Sequence, residues 1–247
     1  MKAFRRDHTM KILGGILFAA LLPFLSSCSD GASRSGEAAR VLILGGGEHH
    51  DFDTWFNLAD STTLAATGTR VRYTDDPGTV LPGLESTDVL YMNNNQPLED
   101  PSLRQGIFNF TGSGNGLLLV HAATWYSWPD WPEFNRDLVG GGANGHGPLG
   151  EFEVKVVDHD HPVMQSVPDT FRITDELYRF EKDEDGPDIH VLAVGIEPGT
   201  GNEYPVAWTL GHGDGRVVCI TLGHDGDSHE HEAYTAMLKN SIGYLKN

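Results

Sequence analysis

The sequence predicts one α/β domain built on a doubly wound, mainly parallel sheet with antiparallel strands added at an edge. Three observations carry this expectation. Between Arg40 and Val120, short β-branched and leucine-rich runs alternate with helical stretches, as parallel strands joined by crossover helices do. The runs Arg40 to Leu44 and Gly116 to Val120 are apolar nearly throughout, which suits strands covered on both faces. Beyond about residue 150, strand-like runs follow one another with few helices between them, the mark of antiparallel additions.

The elements can be justified in chain order. Arg40 to Leu44 reads as the first strand and stops in Gly45-Gly46-Gly47. Asp53 or Thr54 is placed to cap the next helix, whose apolar positions include Trp55, Leu58 and Ala59. Val71 to Thr74 and Thr87 to Met92 read as strands, the latter ending in Asn93-Asn94-Asn95. Asp100-Pro101 supplies a cap and a first-turn proline for a helix to about Phe110. Gly116 to Val120 then runs straight into His121, and Gly140 to Gly147 reads as a glycine-rich loop. Phe152 to Val157, Phe171 to Thr174 and His190 to Val194 read as strands. Val206 to Leu210 and Arg216 to Leu222 form a hairpin turning through Gly211-His212-Gly213-Asp214-Gly215. The last helix is expected from about Ser228, with Tyr234, Met237, Leu238, Ser241, Ile242 and Leu245 forming a core-facing stripe.

The N-terminus has a different design. Lys2, Arg5, Arg6 and Lys11 precede an apolar run from Ile12 to Leu25, the layout of an export signal too short and too interrupted (Pro23) for a comfortable membrane span. Leu25-Ser26-Ser27-Cys28 resembles a bacterial lipobox, which implies cleavage after Ser27 and acylation of Cys28. The expected organisation is a lipoprotein signal peptide over 1–27, a flexible Ser/Gly/Ala-rich tether over 28–39 and one domain over 40–247. Ser29 stands where an aspartate is associated with inner-membrane retention, so the expected location is the outer membrane, with the domain in the periplasm or at the cell surface.

Charge narrows the ligands. The chain carries a formal net charge of -18, from 17 Lys+Arg against 35 Asp+Glu. Removal of residues 1–27 leaves 13 against 34, a net charge of -21. Such a surface repels nucleic acid and anionic phosphoesters and suits neutral or cationic small molecules. With Cys28 acylated, Cys219 is the one remaining thiol, and its place in Val217-Val218-Cys219-Ile220 reads as a buried, inert side chain.

In an open parallel sheet, ligands bind beyond the carboxyl ends of the strands. Those ends carry Glu48, His49, His50 and Asp51; then Asn93 to Gln96; then His121; then His224, Asp225 and Asp227. Histidine from three separate strands, joined by His146, points to a functional cleft. Gly45-Gly46-Gly47 lacks phosphate-loop spacing and precedes two acids, and Asp158 to Pro162 reads as a solvated turn. His229 and His231 lie two apart at a helix start and so face different ways.

Several blocks, in order, resemble the ThuA-like family, named for trehalose utilisation. They are Leu44 to Gly47 with His49-His50-Asp51-Phe52, Gly116 to Thr124 around His121, and Gly140-Gly141 with His146. Asp175-Glu176-Leu177-Tyr178, Pro205 to Trp208 and Leu222-Gly223-His224-Asp225 complete the set. The resemblance spans roughly 40 to 245. It implies a class I glutamine amidotransferase-like fold with a flavodoxin-like core, and a role in carbohydrate metabolism, especially of disaccharides and their 3-keto derivatives. Amidotransferases place a nucleophilic cysteine on the turn after a central strand; here His121-Ala122 stands there, so thiol-based glutamine hydrolysis is not expected.

Three chemical readings follow from these residues. In the preferred one, a hydrolase, lyase or isomerase acts on a sugar or 3-keto-sugar by acid/base chemistry, with His121 and Glu176 nearest the proton transfer and His224 with Asp225 as an oriented pair. His49, His50, Asn94, Trp125 and His146 then bind substrate. In the second, His49 or His50, His121 and His224, with or without Asp225, hold a divalent metal, although no compact metal signature is present. In the third, the protein binds sugar without turnover, using the aromatic cluster Trp125, Tyr126, Trp128 and Trp131; Trp131 with Phe134 can equally pack the loop onto the sheet.

Overall fold

The computed structural model describes residues 37–246. The expected signal peptide, the lipidation residue Cys28 and the tether up to residue 36 lie outside the described residues. The strands are β1 (Arg40–Leu44), β2 (Arg70–Thr74), β3 (Val89–Met92), β4 (Gly116–Val120), β5 (Gly141–His146) and β6 (Gly150–Val156). They continue as β7 (Thr170–Asp175), β8 (Tyr178–Lys182), β9 (His190–Ile196), β10 (Glu203–His212) and β11 (Gly215–Ile220). The helices are α1 (Ser61–Ala65), α2 (Val80–Leu84), α3 (Pro101–Gly112), α4 (Pro132–Phe134), α5 (Gly226–His229) and α6 (Glu232–Lys246). A wider-wound turn, Asp53–Asp60, leads directly into α1.

Nine strands form one sheet in the order β2-β1-β3-β4-β11-β10-β9-β6-β7. The pairs β1/β2, β1/β3, β3/β4 and β4/β11 are parallel, while β11/β10, β10/β9, β9/β6 and β6/β7 are antiparallel. The parallel half has the flavodoxin-like order, and the antiparallel strands extend one edge, as expected. Alternation along β1 explains the two faces: Val41 and Ile43 join one core, and Leu42 and Leu44 join the other. The first core takes Met237, Leu238, Ile242 and Leu245 of α6; the second takes Leu103, Ile107 and Phe110 of α3 together with Phe134 and Trp208. Each such side chain contributes about 1.5–3 kcal/mol by burial. The second core also absorbs Trp128 and Trp131, so those two tryptophans pack the loop rather than face a ligand.

Several local expectations are corrected. The helix cap is neither Asp53 nor Thr54: Thr54 N donates to Asp51 Oδ1 at 3.0 Å. The stretch Gly140 to Gly147 is not a loop, because Gly141–His146 pairs antiparallel with β8 as a second, two-stranded sheet. The final helix is broken in two, with His231 Nδ1 accepting from Ala233 N at 3.2 Å where α6 starts. The hairpin is tighter than expected, since His212 pairs with Gly215 and only Gly213-Asp214 turn the chain. Among the described residues, no helix is long and apolar enough to cross a membrane.

Candidate functional site

The parallel strands β1, β3, β4 and β11 lie side by side and deliver their following loops to one edge of the sheet. A cavity of about 420 Å3 opens there, lined by His50, His121's neighbour Ala122, Trp125, Glu176, Tyr178 and His224, with His49, Asn95, Ser127 and His146 around its rim. Glycine makes the β1 side of the cleft. Gly46 and Gly47 have φ of 99° and 134°, and a Cβ on Gly47 would stand 1.7 Å from Asn95 Oδ1. That close approach lets Asn95 clamp Glu48 twice, accepting from its N–H and donating to its carbonyl, each at 2.9 Å.

His121 sits immediately after β4 in left-handed backbone, φ 48°, and is fully buried. A non-glycine residue holds that conformation only where its surroundings enforce it. Here the ring is pinned on both sides, with Nδ1 2.8 Å from the Thr221 carbonyl and Nε2 3.1 Å from the Tyr178 hydroxyl. A carbonyl only accepts, so Nδ1 carries the proton and Nε2 keeps its lone pair. His50 and His224 come to the same place from β1 and β11. The ring centroids lie 4.7 Å (His50–His121), 5.2 Å (His50–His224) and 5.5 Å (His121–His224) apart. Burial pushes His121 well below the ordinary histidine range, and burial together with the neighbouring His224 lowers His50 to about 4.

Glu176, in the turn between β7 and β8, supplies the carboxylate. Its Oε2 lies 3.3 Å from His224 Nδ1, within ion-pair range but off the line of a hydrogen bond, and its Oε1 lies 3.6 Å from His146 Nδ1. The Glu176 carboxylate raises His224 against the opposing effect of burial. Burial alone would raise Glu176, but His224, His146 and His50 outweigh it and bring the carboxyl below its usual range. Trp125 stands edge-on to Tyr178, with ring centroids 5.0 Å apart, and presents an aromatic wall.

Beneath this layer, a buried polar network holds the His224 loop. Asp175 Oδ2 accepts from Gly223 N at 2.8 Å and from the Ser228 hydroxyl. His229 reaches the Gly223 carbonyl through Nε2 at 3.1 Å and Asp60 through Nδ1 at 2.7 Å, and Asp60 also accepts from Tyr91 and Tyr234. Gly223, the residue before His224, is thus held through both its N–H and its carbonyl.

The expected residues separate accordingly. His50, His121, Glu176, His224, Trp125 and His146 are brought together. His49 is not in the cluster: its backbone is left-handed at φ 74° and its side chain is 81% exposed at the rim, so His50 takes the place given to it. Asp225 does not orient His224; its Oδ1 accepts from Asp227 N at 3.1 Å at the start of α5, and Glu176 stands beside His224 instead. Asn94 is buried away from the cavity with its amide unpartnered, and Asn95 lines the cleft. Cys219 is buried in β11, where desolvation raises its thiol well above the usual range. Asn95, Ser127, Asp60, Asp175 and His229 were missed by the sequence reading as site or support residues. The last three carry no local signal, because each depends on at least one partner more than forty residues away.

The fold is a doubly wound α/β sheet, with histidines and a carboxylate gathered in a cleft beyond its parallel strands, the position where ligands bind in folds of this design. The chain belongs to the ThuA family, described as trehalose utilisation, whose pattern matches residues 40–245. Its fold is similar to that of a ThuA-like protein from Parabacteroides merdae, with a TM-score of 0.75, 18% identity, and coverage of 85% of this chain and 91% of that one. A ThuA-like protein from Bacteroides uniformis aligns with a TM-score of 0.69 and 21% identity over 84% of this chain and 91% of that one. The fold also recurs within a β-galactosidase of Halorubrum lacusprofundi, at a TM-score of 0.56 and 18% identity, over 84% of this chain but only 30% of the enzyme. No curated protein matches the chain by sequence.

Proposed function

We propose that this ThuA-family domain is an enzyme acting on a sugar or 3-keto-sugar by proton transfer, with Glu176 as the base. The observation that carries the reading is the position of Glu176 between His224 and His146, inside a cavity walled by Trp125. A carbonyl at C3 of a glycoside acidifies the hydrogen at C2. Glu176 takes that proton, the C–H pair becomes a C=C bond, and the carbonyl π pair moves to oxygen. Tyr178 and His224 line the cavity in which that oxyanion forms. Return of the proton to C3, as the C2 hydroxyl proton passes to the C3 oxygen, isomerises the sugar; loss of the C1 glycosidic oxygen, which lies β to the carbonyl and takes the proton now on Glu176, cleaves the disaccharide, and water then adds to the alkene. The aromatic face of Trp125 suits the apolar face of a pyranose, and a neutral substrate suits a chain of net charge -18.

The test is turnover of 3-keto-disaccharides followed by product analysis. Glu176→Gln is expected to lower kcat by at least about 100-fold with the fold intact. Unchanged turnover in that variant overturns the assignment, and sugar binding without any turnover by the wild type makes the domain a binding protein instead. The basic, apolar and Leu25-to-Cys28 layout supports a second part of the reading: the domain works outside the cytoplasm, tethered through acylated Cys28 to the outer membrane.

A further inference from the structure

We propose that His50, His121 and His224 form a three-histidine site for one divalent transition metal of the zinc type, open to the cavity at its remaining coordination position. The inference rests on the sugar reading of the same cleft and deepens it: the substrate is one whose keto or hydroxyl oxygen completes the cation's coordination.

Convergence is the first support. One ring nitrogen from each of the three histidines lies within 4.8 Å of the others, although the residues come from β1, β4 and β11. A tetrahedral centre with metal–nitrogen bonds of about 2.1 Å sets its ligand atoms about 3.4 Å apart, so closing the cluster takes small rotations of the rings. The second support lies in what the outer nitrogens meet. Metal-bound histidines characteristically give their other N–H to a carbonyl or carboxylate, which sets the tautomer and the ring plane. His121 meets this through the Thr221 carbonyl at 2.8 Å; His224 Nδ1 has the Glu176 carboxylate beside it at 3.3 Å, within ion-pair range though outside hydrogen-bond geometry. In His121, Nδ1 is engaged and Nε2 is left as the ligand atom. The third support is His50, whose Nδ1 is buried and has no hydrogen-bond partner among the described residues, an arrangement that otherwise leaves a desolvated polar atom unrewarded. Imidazole donors favour zinc, copper, nickel or iron over magnesium or calcium, which prefer oxygen. A cation bound there takes the His121 Nε2 lone pair from the Tyr178 hydroxyl, freeing that hydroxyl to face substrate.

The experiment is a titration of the full chain, purified without chelator or affinity-tag metal, with Zn2+ followed by calorimetry and with Co2+ followed by its visible absorption. One equivalent per chain is expected, with the strong absorption of a tetrahedral cobalt centre. His50→Gln and His224→Gln, both at partly exposed positions, are each expected to weaken binding at least tenfold. His49→Ala is expected to bind as the wild type does. Circular dichroism and melting curves of the metal-free variants establish that they fold. Absence of stoichiometric binding by the wild type overturns the site whatever the variants do, and so does undiminished binding in both glutamine variants. Turnover of a keto-sugar by fully chelated protein overturns the metal while leaving the sugar reading standing. Tight metal binding without action on any keto-sugar does the reverse.

Discussion

His49 and His50 are the same side chain one position apart, and the backbone separates their roles. The left-handed turn at His49 sends its ring to solvent and leaves His50 facing His121 and His224. A strand-end histidine pair is visible in sequence, but a single φ angle is not. The same limit explains the exchange of Asp225 for Glu176: adjacency suggested the pair His224-Asp225, whereas Glu176 reaches His224 from 48 residues away in the chain, along a different strand. Asp175, next to Glu176, carries a residue-scale prediction. Burial raises its carboxyl from 3.8 to about 6, more than the hydrogen bonds from Ser228, Gly223 and Glu176 lower it. The folded state therefore binds more protons than the unfolded chain between these values. Its contribution to stability is present below pH 3.8, falls as pH climbs through the window, and is flat above about 6, a loss on the order of 3 kcal/mol. Asp175→Asn keeps an acceptor for Gly223 N and cannot ionise. Urea unfolding at a series of pH values is expected to show this downward component in the wild type and its removal in the variant; identical pH profiles would refute the assignment.

At the scale of elements, the ends of β1 and β4 agree with the residues read as strands, because each is a short apolar run stopped by a recognisable break: a glycine triplet in one case, His121 in the other. β5 was hidden for the opposite reason. Glycines ordinarily weaken strands, and only the approach of β8, with the Glu181 carbonyl 2.1 Å from where a Gly141 Cβ would lie, shows why small residues pair there. The break between α5 and α6 is partly non-local: His231 meets Ala233 N locally, but the buried His229 before it bonds Asp60, 169 residues away. The glycine turn after β1 can be tested directly. Gly47→Ala combines φ 134° with a clash on Asn95, so it is expected to cost about 1–3 kcal/mol in chemical denaturation and to raise KM for the sugar by loosening the Glu48–Asn95 clamp. A variant as stable as the wild type would show that the turn relaxes without the glycine.

For the whole molecule, the proposed tether predicts a distribution between cell fractions. Cys28→Ala is expected to abolish incorporation of a labelled fatty acid and to move the protein out of the membrane fraction; retention of both label and membrane association would exclude Cys28 as the anchor. The sheet itself shows how far sequence reasoning extends. Chain-order alternation of apolar runs and helices was sufficient for the doubly wound class, and the character of residues beyond 150 was sufficient for antiparallel additions, because hydrophobic period and turn chemistry are local properties. They also sufficed to set histidines at the ends of β1, β4 and β11, while the family resemblance rested on particular residue blocks. The strand order was not legible, and the site depends on it. Only when β11 lies beside β4, and β4 beside β3, does the Thr221 carbonyl meet a histidine 100 residues earlier, and only then do Glu176 and Asn95 rather than Asp225 and Asn94 line the cavity, with His50 rather than His49 beside His121. Local propensity determined the elements and the kinds of residue at their ends; long-range pairing, backbone handedness and burial decided which of those residues share one site.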